Sequence, residues 1–156
     1  MKNKVAFLIG SASDHETASA SLDYFTYFGI NAEITVMSAH RNPGKVKEFS
    51  ESARENHYSI LVCGAGMAAH LAGAVKANTT LPVIGVPLPG GIMDGLDALL
   101  STVQMPKGVP VATMSVGKSG SINAAILCAE ILSLNNEDIA VKLNKFKLNG
   151  SNLSGL

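Results

Sequence analysis

Two cationic side chains stand together at His40 and Arg41, inside the run VMSAHRNPG. The chain has only two arginines and four histidines, so this is a concentrated use of scarce groups. A guanidinium is a permanently charged planar fork that suits phosphate or carboxylate. An imidazole changes charge near neutral pH, as a proton shuttle must. The plain alternative is that Arg41 pairs with a surface carboxylate while His40 packs on a sheet rim. Asn42-Pro43 then reads as a helix start, a cap followed by proline at the first helical position.

Two more stretches have the same character. GSASD, residues 10–14, is a glycine turn followed by Ser11, Ser13 and Asp14 at the head of a helix. Hydroxyls and free backbone N–H groups there suit an anion such as phosphate, and the Asp14 carboxylate can accept from sugar hydroxyls. Equally, Ser13 or Asp14 simply caps the helix. Neither the dinucleotide glycine pattern nor the phosphate-loop pattern of ATPases is complete, so NAD and ATP are not indicated. GAGMAAHLAG, residues 64–73, has Gly64 and Gly66 for close backbone approach, and Ala65, Ala68 and Ala69 leave room for a flat ring. His70 falls about one turn into the following helix, facing either the ligand or the core.

Elements must carry these groups to one place. Five apolar, β-rich runs punctuate the chain, at 5–9, 33–37, 60–63, 83–86 and 111–116. Ala18, Leu22, Phe25 and Phe28 repeat at helical spacing up to the stop at Gly29. Val46, Phe49 and Ala53 mark a second helix, MAAHLAGAVKAN a third, 96–103 a weaker one and 121–134 a strong one. A peripheral helix is expected over 137–148, then a frayed tail at 149–156. Near-continuous apolar strands alternating with helices predict an α/β fold, a three-layer doubly wound parallel sheet. Ligands of such folds bind beyond the carboxyl ends of the strands, where all three stretches fall. The Gly/Pro-rich run after the fourth strand, GVPLPGGIMDGLDALLSTVQMP, reads as a mobile covering loop.

Composition narrows the partners. At 156 residues, with no linker, repeat or low-complexity segment, the chain reads as a single domain. Net charge is zero, which leaves no electrostatic footprint for nucleic acid or a membrane surface. No apolar run approaches the ~18 residues of a membrane span, and the N-terminus has no signal-peptide core. Cys63 and Cys128 lie in apolar segments without metal-ligand spacing and read as reduced core cysteines. A cytoplasmic location is expected. Charged residues are 15% of the chain against a usual ~25%, and such thin charge cover implies a homo-oligomer with apolar contacts.

In order and spacing, GSASD, SAHR, GAGMAAHLAG, LPVIGVPL and LLSTVQMPKGVPVATMSVG resemble the bacterial phosphoribosylaminoimidazole carboxylase catalytic subunits of class I, the N5-carboxyaminoimidazole ribonucleotide mutases. The resemblance spans residues 4–135. It implies purine biosynthesis, a flavodoxin-like fold, an octamer about a fourfold axis, a small-molecule ribonucleotide substrate, and neither metal nor organic cofactor. Carried over by position, it implies that His40 is catalytic. It also implies substrate contacts from Ser11, Ser13, Asp14, Ser38, Ala39, Arg41, Gly64, Ala65, Gly66, Ala68, His70 and Leu71. Met67 and Ala72 depart from the pattern, standing where glycine and proline are usual. The implied reaction moves a carboxylate from an exocyclic nitrogen to ring carbon C4 in a closed apolar pocket, with His40 shuttling the proton. Competing readings are a class II carboxylase using free carbon dioxide and a flavodoxin-like binding module without chemistry.

Overall fold

The computed structural model describes residues 3–156. Strands β1 (Lys4–Ile9), β2 (Asn31–Val36), β3 (Ile60–Gly66), β4 (Val83–Leu88) and β5 (Ala112–Thr113) form one parallel sheet in the order β2-β1-β3-β4-β5. Helices α1 (His15–Ser19), α2 (Leu22–Phe28), α6 (Lys118–Ser133) and α7 (Glu137–Leu148) cover one face. On the other lie α3 (Pro43–Ser52), α4 (Leu71–Lys76) and α5 (Leu96–Val103). This is the doubly wound, flavodoxin-like arrangement that the strand and helix pattern predicts.

Burial on both faces explains the unbroken apolar strands. Along β1, Val5, Phe7 and Ile9 enter the core beneath α2, α6 and α7, while Ala6 and Leu8 enter the opposite one. All six residues of β4 are buried. Where a helix must lie directly on the sheet, glycine makes the space: a Cβ at Gly85 would come within 2.5 Å of Thr102 Cγ2 on α5.

Several elements differ from expectation, each for a local reason. The helix expected through Ala18 to Phe28 breaks into α1 and α2. At the break the buried Ser21 hydroxyl donates to the Ala18 carbonyl at 2.6 Å and competes with the helical ladder. Strand β5 is two residues long, although Met114 N–H still donates to Gly85 O at 2.8 Å. Asn42 holds the cap position of α3, but its side chain makes no capping bond. Helix α7 is not peripheral: it buries Ile139, Leu143 and Phe146, and the Phe146 ring meets Phe28 edge-on at 5.5 Å. Nor is the tail frayed, since Asn149 and Asn152 bond it into turns and Leu153 packs on the core.

Candidate active site

The connectivity makes the cleft. From β1 the chain moves outward to β2, then returns across β1 to β3 and continues in the other direction. The loops leaving β1 and β3 therefore diverge, opening a crevice at their carboxyl ends. A cavity of about 540 Å³ lies there. It is walled by Gly10, Ser11, Ser13 and Asp14 after β1, by Ser38, Ala39, His40 and Arg41 after β2, and by Ala65 and Gly66 at the end of β3 with Met67, Ala68 and Leu71 beyond it. Pro89 and Gly90 after β4 complete it. Four segments separated in sequence thus converge on one hollow.

The first wall is a preorganised turn. Ser11 caps it: its side chain accepts the Ser13 N–H at 3.3 Å, while Asp14 Oδ2 accepts the Ser11 N–H at 3.1 Å. Capping is therefore real, with Ser11 and Asp14 as reciprocal partners. The Ser13 hydroxyl donates to Ser11 Oγ at 2.9 Å and lies 3.4 Å from Asp14 Oδ1. Partial burial raises the Asp14 carboxyl above its ordinary value, opposed by the hydrogen bonds from Ser11 and Ser13.

The second wall holds the cationic pair. Ser38 Oγ accepts the Arg41 N–H at 3.2 Å, and the Asn42 N–H donates to Ser38 O at 2.9 Å, so a tight turn displays His40 and Arg41. The two arginines are used differently. Arg54 spends its Nε and Nη2 on the Thr80 hydroxyl, at 3.3 and 3.0 Å. The ion pairs among the described residues are Lys4–Glu33, Lys47–Glu51 and Lys118–Glu16, and Arg41 is in none of them. The surface-pairing alternative for Arg41 is thereby removed. His40 is exposed rather than packed on the rim, and its Nε2 lies 2.8 Å from His70 Nδ1 with the rings edge-to-face. One of these two nitrogens carries the proton and the other accepts it.

The third wall corrects two expectations. Gly64 does not line the cavity; it lies within β3, where a Cβ would come 3.2 Å from the Phe7 ring, so its smallness serves packing. His70 lies before the first turn of α4, not a turn into it, and joins the site through His40 instead of forming the wall. The cavity is also not closed, because His40, Arg41, Met67 and Ala68 are exposed at its rim. Sequence reasoning passed over Gly10, Pro89 and Gly90 as wall residues. The PGG run is the available signal, although its composition points to a cover and not to a wall. The loop it belongs to is folded on itself: Asp94 Oδ1 accepts the Gly90 N–H and Asp97 Oδ2 the Ile92 N–H, both at 3.0 Å.

A family model described as AIR carboxylase matches residues 4–152. The chain belongs to the AIR carboxylase family. The match runs beyond the 4–135 span of the sequence resemblance and takes in α7. The N5-carboxyaminoimidazole ribonucleotide mutase of Bacillus subtilis is 48% identical over 149 residues, which are 96% of this chain and 92% of that protein. Its namesake in Escherichia coli K12 is 42% identical over 144 residues, 92% of this chain and 85% of that one. The crystal structure of Treponema denticola PurE superposes with a TM-score of 0.85 at 27% identity, covering 95% of this chain and 91% of its own.

In this family member the cavity combines a fixed cation, a coupled imidazole pair, a hydroxyl-rich turn and a small apolar floor. Such a set can bind an anionic sugar phosphate and move a proton beside it.

Proposed function

We propose that this chain acts in purine biosynthesis as the mutase that converts N5-carboxyaminoimidazole ribonucleotide to 4-carboxyaminoimidazole ribonucleotide. The observation that carries the reading is the convergence of unpaired Arg41, the His40–His70 pair and the Ser11–Asp14 turn on one cavity. Relatives at 42–48% identity that bear the mutase name support it. Arg41 and the hydroxyls of Ser11 and Ser13 hold the phosphate, Asp14 the ribose, and Ala39, Ala65, Ala68 and Leu71 border the ring.

Each step balances. The N–carboxylate bond breaks to give carbon dioxide, and protonated His40 supplies the proton that the nitrogen takes up. The apolar floor favours the neutral gas over the carboxylate anion. Ring C4 attacks the held carbon dioxide, and neutral His40 removes the C4 proton, which restores the starting state. Holding the gas turns a bimolecular capture into a nearly unimolecular one, a gain of up to ~7–11 kcal/mol for well-oriented reactants. The bond to His70 holds one nitrogen of the His40 ring and fixes its tilt.

Carbon-13 NMR tests the reading. Carbamate labelled in its carboxylate, mixed with the protein and excess unlabelled bicarbonate, should give product labelled at the C4 carboxylate. Unlabelled product would assign the carboxylase reaction with free carbon dioxide, and no product would leave a binding module. We also infer a cytoplasmic homo-octamer, as the family resemblance implies; the thin charge cover and exposed Leu100 and Val103 on α5 support burial against other copies of the chain. Light scattering at the mass of eight chains is the expected result.

A further inference from the structure

Among the described residues, the non-glycines with positive φ are His57, Met67, Met93, Asp94 and Ser151. Met67, Met93 and Asp94 follow the ends of β3 and β4, beside the cavity, and of these Met67 is in its wall. Its φ of 54° is a left-handed backbone that glycine adopts freely and other L residues adopt under strain. One bond holds it there: the Met67 carbonyl accepts the Ala69 N–H at 2.9 Å, while the nearby Ser101 hydroxyl donates to the Asp97 carbonyl at 2.6 Å. Strain of this kind persists where the surroundings impose it, and it gathers at ligand sites. Core packing does not offset it, because Met67 is 63% exposed. The side chain is an unbranched thioether, polarisable and adaptable, which packs well against a flat aromatic ring. It stands in the same wall as Ala65, Ala68 and Leu71, across sequence and space from the phosphate-suited turn at Ser11.

Resting on the ribonucleotide reading of this cavity, we propose that Met67 is a specificity residue whose thioether packs on the heterocycle of the bound nucleotide. It recognises the ring and not the sugar phosphate. Binding covers the exposed thioether, and the strained backbone is the means by which β3 turns that side chain into the cavity wall.

Two variants separate strain from contact. Met67→Ala deletes the thioether and keeps the left-handed strain; Met67→Gly deletes both. Steady-state kinetics with the carbamate should show KM raised about five-fold in each, equivalent to about 1 kcal/mol. Ribose 5-phosphate, a competitor without the ring, should inhibit wild type and both variants alike. Met67→Gly should melt at a higher temperature than Met67→Ala. The proposal is overturned by unchanged KM in both variants, or by ribose 5-phosphate weakening in the same proportion. Altered assembly mass with KM intact also overturns it, since the side chain would then serve a neighbouring copy. Wild-type protein that leaves the carbamate unconverted defeats the ribonucleotide reading itself. Wild type that converts it, with variants indistinguishable from it, defeats only the role of Met67.

Discussion

The two faces of the sheet are built to different standards. Beneath α2, α6 and α7 lies an aromatic core, where Phe7, Phe25, Phe28 and Phe146 are fully buried and Tyr24 and Tyr27 pack at its edge. The opposite core, beneath α3, α4 and α5, is made of smaller pieces such as Ala6, Val46, Ala53, Ala72 and Val75. Its α4 helix has six residues against sixteen in α6, and α5 leaves Leu100 and Val103 exposed. Yet the groups proposed to meet the ring and move the proton are delivered on this lighter side: His40 and Arg41 just precede α3, and Met67 and His70 precede α4. On the proposed function, stability is concentrated on one face and the proton-moving and cationic groups lie on the other, so the two should be separable by mutation.

The sharpest way to break that separation is His40→Asn, which we expect to lower turnover by about 10²–10⁴-fold with the urea midpoint unchanged. Retained turnover would remove His40 from the chemistry. Next, Phe146→Ala on the aromatic face should cost about 3–5 kcal/mol in urea unfolding at fixed protein concentration, with KM preserved. A loss below 1 kcal/mol would mean that α7 does not anchor the core. Arg41→Lys exchanges a bidentate fork for a point charge and should raise KM about ten-fold with little change in kcat, read by steady-state kinetics.

The smallest effect concerns Asp14, which with Ser11 and Ser13 belongs to the turn that leads into α1 on the heavier face. Burial raises its carboxyl, so the folded state holds the proton more tightly than the unfolded chain does. Its contribution to stability is therefore present below the ordinary aspartate value of 3.8 and is lost as pH rises through the higher folded value. Asp14→Asn should remove that decline from the pH dependence of the melting temperature. A wild-type profile that rises where the variant is flat would reverse the assignment.

Much of this was legible before any coordinates. Apolar strand runs give the sheet because a strand covered on both faces has no polar side to show. The position of Arg41 and His40 at the cavity was legible because arginine and histidine are scarce in this chain, and such a pair at a strand exit stands out. What local pattern could not give was competition and distance. Ser21 reads as an ordinary helical position until its hydroxyl takes the Ala18 carbonyl. Gly64 reads as a ligand glycine, and only the Phe7 ring across the sheet shows why it is small. His70 needed its partner 30 positions away to declare a role. Residues 137–148 read as surface because half of that helix is charged or polar, although Phe146 and the Tyr27 hydroxyl bond to Lys142 O tie it to α2.

The strand order has one more consequence. Because the polypeptide departs to opposite sides after its first and third strands, the hollow exists as a result of threading, before any functional side chain is chosen. Its base is set by strand ends fixed in the sheet, whereas the exposed part of its lining, such as Ser13, His40, Arg41 and Met67, lies outside either core. Evolution can therefore exchange the lining without unmaking the vessel, and a chain with this threading keeps a ready receptacle whatever it is asked to hold.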